Sequence, residues 1–263
     1  MIRIATLSDA KNNCRNCRLS SLCLPENLAQ SDVNKLEGIV QRRKPVARGT
    51  YLFRVGQRFN SIFAVRTGSV KTTNLLANGD EHISGFHLPG EVIGLDAILT
   101  RSHPSTAVAL ESTSVCEIPF NDLETLGDQT PALQHQLVRI MSRGLLSEQS
   151  TAHLLTRRSA EQRLTVMLLK FSEHFANRGL SASRFRLPMS RLDLANYLGL
   201  VPETMSRTFR RLEAQGLVSI TGKEIEIIDF YGMKELSFGA GADTANAATP
   251  DRTIHFKSSG MYR

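Results

Sequence analysis

The chain has 263 residues, 41% hydrophobic and 22% charged, an ordinary globular composition that can bury a real core and excludes wholesale disorder. No apolar run approaches the ~18 residues of a membrane helix, since Lys170 cuts Val166–Leu169 short, and Met1–Asn13 lacks the apolar stretch of a secretory signal, so a cytosolic (cytoplasmic) protein is expected. The net charge of +7 is concentrated in Arg157–Gln215, which holds 11 lysines and arginines against 5 acidic residues, an electrostatic footprint for nucleic acid.

Residues 1–30 are polar and hold Cys14, Cys17 and Cys23 in a C-x2-C-x5-C pattern; the fourth cysteine, Cys116, follows 93 residues later. In a cytosolic chain four cysteines point to metal ligands or redox groups rather than structural disulfides. Four thiolates suit zinc or an iron–sulfur cluster. Structural zinc usually takes two close pairs, which this spacing does not provide. A polar loop of three thiolates closing over a fourth on a strand suggests a labile cluster near solvent. Zinc and redox-active thiols remain open readings at this point. The seven histidines show no paired metal spacing, and His82 and His87 read as solvated or internally satisfied.

Residues 31–130 are expected to form a sensor domain, in which residues 44–120 are punctuated by glycine with short β-type runs between: Thr50–Phe53, Ile62–Val65, Val70–Leu76, His82–Leu88, Thr106–Leu110 and Val115–Pro119. Asn78-Gly79 between two of them is a hairpin signal. This spacing predicts an all-β barrel or roll. The period then changes. Pro131 can open a helix over 131–158, in which Val138, Met141, Leu145, Glu148, Ala152 and Leu155 recur at three-and-four spacing. Such a seam either packs on the chain's own roll or meets a second copy; the second is preferred, because the next unit needs a twofold partner. Glu148 is the one charge on the seam.

Residues 159–237 open with an amphipathic helix, Ala160–Ala176, stopped by Asn177-Arg178-Gly179. Ser190 can then cap a short helix, Gly199 can supply a turn, and Pro202 pre-sets the first turn of a second helix. There Met205, Phe209 and Leu212 share one face, and Glu203, Ser206, Arg207 and Arg210 the other. Arginine can bond guanine O6 and N7 together, glutamate can accept from cytosine N4, and serine can bond a base or a phosphate. A carboxylate facing a polyanion is costly unless it reads a base; otherwise Glu203 serves the helix dipole. Leu217–Ile228 reads as a hairpin, completing a winged helix–turn–helix. Aromatic content of 6% with no tryptophan argues against stacking platforms for single strands and leaves double-stranded DNA. Residues 238–263 are small and polar and read as a disordered tail.

The order of these units resembles the CRP/FNR superfamily: an α+β chain with a cyclic-nucleotide-binding-like β-roll, a long dimerisation helix and a C-terminal winged helix–turn–helix. The cysteine spacing, Cys116-Glu117-Ile118-Pro119 and Glu203-Thr204-Met205-Ser206-Arg207 resemble its oxygen-sensing FNR/Anr-type branch, over about residues 10–236. The resemblance implies a [4Fe–4S] cluster on Cys14, Cys17, Cys23 and Cys116, and a homodimer that binds DNA under low oxygen. It also implies a target like TTGAT-N4-ATCAA read by Glu203, Ser206 and Arg207, and contact with RNA polymerase. The chain departs from cyclic-nucleotide binders: Gly90-Glu91-Val92 is present, but Pro104-Ser105-Thr106-Ala107 stands where an Arg-Ser pair would grip the phosphate. Arg101-Ser102 keeps a nucleotide-sensing alternative open. An iron–sulfur enzyme or electron carrier is the alternative of another class; no acid–base or nucleophile constellation supports an enzyme, and an electron carrier has no use for the Glu203–Arg210 face.

Overall fold

The computed structural model describes residues 28–157 and 159–238, together with Cys14, Cys17, Leu19 and Ser20. Cys23 and the tail 239–263 lie outside the described residues. Helix α1 (Gln30–Ile39) leads into eight strands: β1 (Gln41–Arg42), β2 (Tyr51–Phe53), β3 (Ser61–Thr67), β4 (Val70–Leu75), β5 (Glu81–His87), β6 (Val92–Ile93), β7 (Thr106–Ala109) and β8 (Ser114–Pro119). They form two four-stranded sheets, in the orders β1-β8-β3-β6 and β2-β7-β4-β5.

The apolar run Ile62–Val65 is continuous rather than alternating because β3 is covered on both faces. Phe63 and Val65 join Phe53, Val70, Ile93, Ala107 and Val115 in one cluster. Ile62 joins Phe59, Ala97 and Phe120 in another, on which α2 (Phe120–Gln129) lies. Asn78-Gly79 turns the β4–β5 hairpin as expected: the Asn78 side chain accepts from the Asp80 N–H at 3.1 Å, and Gly79 has φ 86°.

Helix α3 (Pro131–Arg157) is 27 residues long, and its Leu154 joins Ile83, Leu88 and Leu110 of the roll in one cluster. Next come α4 (Ala160–Ala176), β9 (Arg184–Arg186), α5 (Arg191–Tyr197), α6 (Pro202–Ala214), β10 (Val218–Thr221), β11 (Glu224–Ile227) and α7 (Phe230–Phe238). A capping box of Ser159 and Gln162 starts α4 by satisfying N–H groups that have no intrahelical partner. The wing is a three-stranded sheet in the order β10-β11-β9. Among the described residues no helix is long and apolar enough to cross a membrane.

The core of the C-terminal unit, residues 159–237, is not closed within that unit. Ile83, Leu88 and Leu110 of the roll share one cluster with Leu164, Leu168, Phe171, Met205, Phe209 and Leu212. Polar contacts fix the same junction. Asn196 Oδ1 accepts from the Ile83 N–H at 2.7 Å, while its Nδ2 donates to the Glu81 carbonyl at 2.9 Å. Tyr197 packs on Phe86 at 5.1 Å between ring centroids, and its hydroxyl lies 3.1 Å from Thr151 Oγ1 of α3. Lys71 Nζ meets Asp193 at 2.6 Å.

Burial alone would raise the Asp193 carboxyl, but hydrogen bonds from Lys71 and Ser190 outweigh it and hold it below the ordinary aspartate range. A depressed carboxylate contributes stability that is present above its unfolded value, about 3.9, and lost as pH falls through the folded one. Lys71→Ala should therefore cost about 1 kcal/mol near neutral pH, the scale of a partly screened ion pair. The gap between variant and parent in denaturant unfolding should close below about pH 4.

Candidate nucleic-acid interface and cysteine site

Ser190 caps α5 as expected, and its partner in the capping box is Asp193. Gly199 takes the left-handed φ of 61° that the inter-helix turn requires, and Pro202 stands at the start of α6. Met205, Thr208, Phe209 and Leu212 are buried, and this back face fixes how the helix rolls on α4 and α5. Glu203, Arg207 and Arg210 are exposed on the opposite face, with Ser206 half-buried beside them.

The neighbouring cations are already engaged. Arg211 pairs with Glu161 at 2.9 Å, Lys223 donates to the Pro188 carbonyl at 2.8 Å, and Arg191 lies 4.9 Å over the Phe209 ring. The front of α6 thus presents one carboxylate and two guanidinium groups to solvent, the donor and acceptor set that base edges in a major groove require.

On α3, residues 141–150 are exposed on every side of the helix. Val138, Met141 and Leu145 of the seam are 63%, 46% and 62% exposed. Glu148 and Ala152 are also exposed and Leu155 is half-buried. An isolated helix does not hold an apolar stripe in water without a covering surface.

Cys116 lies on β8, paired across the sheet with Arg42 of β1 and Ala64 of β3. The Cys17 N–H lies 3.4 Å from the Cys14 carbonyl. Arg42 Nη2 donates to Cys14 Sγ at 3.4 Å and to Glu37 at 3.2 Å. Burial pushes the Cys14 and Cys116 thiols up. Charge on Cys14 and Cys17 would push Cys116 further up, whereas Arg42 and Arg66 oppose it. Arg42, opposite Cys116 and hydrogen-bonded to Cys14, thus links two cysteines that the chain separates by about 100 residues. Among the described residues no three candidate ligands stand close enough to enclose a metal ion, and Cys23 lies outside them. Cys14 and Cys116 flank one guanidinium, that of Arg42, and thiol donors beside such a charge suit a thiolate-ligated group.

Neither Arg42 nor the junction residues Lys71, Asp193 and Asn196 stood out in the sequence. Arg42-Arg43-Lys44 reads as a solvated charge run, and only the β1–β8 register places Arg42 opposite a cysteine. Inside the roll, Ser105 donates to the Asp96 carboxylate at 2.9 Å. Arg101 turns away, toward Glu124 at 3.8 Å and the Phe120 ring.

A roll, a long exposed helix and a winged helix–turn–helix with a free Glu/Arg face define a DNA-binding regulator with a sensor domain. Residues 43–130 match the cyclic nucleotide-binding domain and residues 162–236 the Crp-like helix-turn-helix domain. The chain is 46% identical over 228 residues to the transcriptional activator protein FnrA of Stutzerimonas stutzeri, covering 87% of this chain and 93% of that protein. It belongs to the CRP/FNR family of transcription regulators. It is 44% identical over 238 residues to the transcriptional activator protein anr of Pseudomonas aeruginosa, covering 90% and 97% of the two chains. Among solved structures it is similar to FixK2 from Bradyrhizobium japonicum, at 28% identity and a TM-score of 0.70, over 78% of this chain and 100% of that one.

Proposed function

We propose that the protein is an oxygen-responsive regulator that binds DNA as a homodimer when oxygen is low. The observation that carries this reading is that Arg42, directly opposite Cys116 in the β1–β8 register, hydrogen-bonds Cys14 from the N-terminal cysteine motif. The names of its relatives support it, among them an anaerobic regulatory protein of Haemophilus influenzae at 42% identity. Cys14, Cys17, Cys23 and Cys116 would hold a [4Fe–4S] cluster, which when bound supplies a centre that molecular oxygen can oxidise. The Val138–Leu155 seam would join two copies. The paired α6 helices would then read a palindrome like TTGAT-N4-ATCAA, engage RNA polymerase beside it, and act in the cytoplasm.

The nucleotide alternative meets the wrong charge. A phosphate beside Ser105 would face the Asp96 carboxylate, and Pro104 stands where the resemblance places an arginine. Iron and sulfide analysis of anaerobically purified protein, with DNA binding compared before and after exposure to air, tests the proposal. Four irons per chain and binding lost in air are expected; zinc, or full binding in air, would overturn it.

The reading face gives a separate test. Arg207→Ala should cost about 1–3 kcal/mol on the best site and relax preference at one base pair. Arg210→Ala should instead weaken all sequences alike and flatten the salt dependence by about one unit, the behaviour of a phosphate contact. Binding measured on a panel of single-base variants at several salt concentrations separates the two. Unchanged discrimination in Glu203→Ala would assign Glu203 to the helix dipole.

A further inference from the structure

Arg42 donates a hydrogen bond to the sulfur of Cys14. It sits on a two-residue edge strand whose only partner is β8, with Arg42 directly opposite Cys116. Residues opposed in an antiparallel pair project to the same face, with Cβ atoms about 5 Å apart. Its guanidinium nevertheless reaches Cys14, 28 residues back in the chain, with Nη2 3.4 Å from the sulfur. The same nitrogen is held by Glu37 of α1 at 3.2 Å, so the fork is aimed before any ligand arrives. Its neighbour Arg43 is taken up by Glu117 instead.

We propose that Arg42 is the positioning residue of the cysteine site: it tethers Cys14 beside Cys116 and supplies the fixed positive charge that a set of thiolates requires. This rests on the reading of Cys14, Cys17, Cys23 and Cys116 as cluster ligands. A guanidinium stays protonated at all working pH values and cannot itself ligate iron. Its contribution is a hydrogen bond to sulfur and an electrostatic bias. Both favour the reduced, more negative state of a thiolate-held cluster and so resist oxidation. Glu37 tempers that bias, and Arg66 of β3 adds to it from the far side of β8. Oxygen sensitivity is thus set partly by a residue outside the cysteine motif.

The test compares parent, Arg42→Gln and Arg42→Lys proteins, each reconstituted anaerobically with iron and sulfide. The readouts are iron per chain, the midpoint potential, and the half-life of the visible absorbance in air. Arg42→Gln should lower the potential and shorten the half-life about 10-fold, the scale of losing an outer partner of a metal ligand. Arg42→Lys, which keeps charge but loses the fork, should fall between. A glutamine variant with the parent's potential and half-life would overturn the proposal.

A parent that takes up no iron and sulfide would instead sink the cluster reading, and the tether is then measured without metal. A short bis-maleimide should join Cys14 to Cys116 in the apoprotein, and the ratio of cross-linked to singly modified chain should fall several-fold in Arg42→Gln. An unchanged ratio would remove the positioning role as well.

Discussion

Replacing Glu148 by leucine is expected to give a protein that dimerises and binds DNA in air, with or without a cluster. The seam Val138, Met141, Leu145, Glu148, Ala152 and Leu155 keeps alternating three-and-four spacing along α3, and residues 141–150 within it are exposed on every side of the helix. In a parallel pair the two Glu148 carboxylates would face each other near the twofold axis. Withdrawing them from water against apolar neighbours costs about 1–3 kcal/mol, and their mutual repulsion acts in the same direction. Removing that cost should tighten dimerisation by roughly 10- to 100-fold. A switch needs such a weakness, because a seam that closed on its own would leave the sensor nothing to decide. Sedimentation of aerobic Glu148→Leu and Glu148→Ala proteins decides the matter. A monomer indistinguishable from the parent would show that Glu148 faces solvent in the assembly and sets no threshold.

The second large effect is expected at Cys116. It is half-buried on β8, so Cys116→Ser changes one atom and should leave the roll folded. The variant should nevertheless carry no visible absorbance when made anaerobically, and its preference for specific over random DNA should fall about 1,000-fold or more. Serine at Cys14, Cys17 or Cys23 should do the same, since a cluster of this type needs all four ligands. The two effects should be ordered: Glu148→Leu combined with Cys116→Ser is expected to remain a DNA-binding dimer, because the seam lies downstream of the cysteines. A colourless double variant that stays monomeric would break that order. Bound zinc in the parent would break the premise.

Much of the fold is legible in the sequence, and the parts that are not share a physical cause. Glycine spacing and β-branched runs mark β2–β5, β7 and β8, and the cap Ser190 with Gly199 and Pro202 marks the two helices of the helix–turn–helix. The strands β1, β6 and β9 have only two or three residues. Strands that short are defined by their partners rather than by their own pattern. Helix α1 buries only Val33 and Leu36 and shows little periodicity, and α7 is likewise invisible in a sequence that runs straight into the polar tail. The cysteine motif can be read residue by residue. Arg42, by contrast, gains its meaning from a cross-strand register, and Asn196 looks like any polar residue on a short helix until its carboxamide is seen on β5.

That carboxamide has a consequence for how far the molecule can be taken apart. β5 is the outer strand of its sheet, and Asn196 occupies the Ile83 N–H and the Glu81 carbonyl that an outer strand would otherwise offer to a neighbour. Leu88, Ile83 and Phe86 are covered by the same docking. Cutting the chain between α3 and α4 would therefore uncover a bare strand edge and an apolar patch together, the combination that templates intermolecular β-pairing. The isolated roll should accumulate as insoluble aggregate on expression while the whole chain stays in solution, so exchanging readers between relatives should succeed only when the β5 surface is exchanged with them.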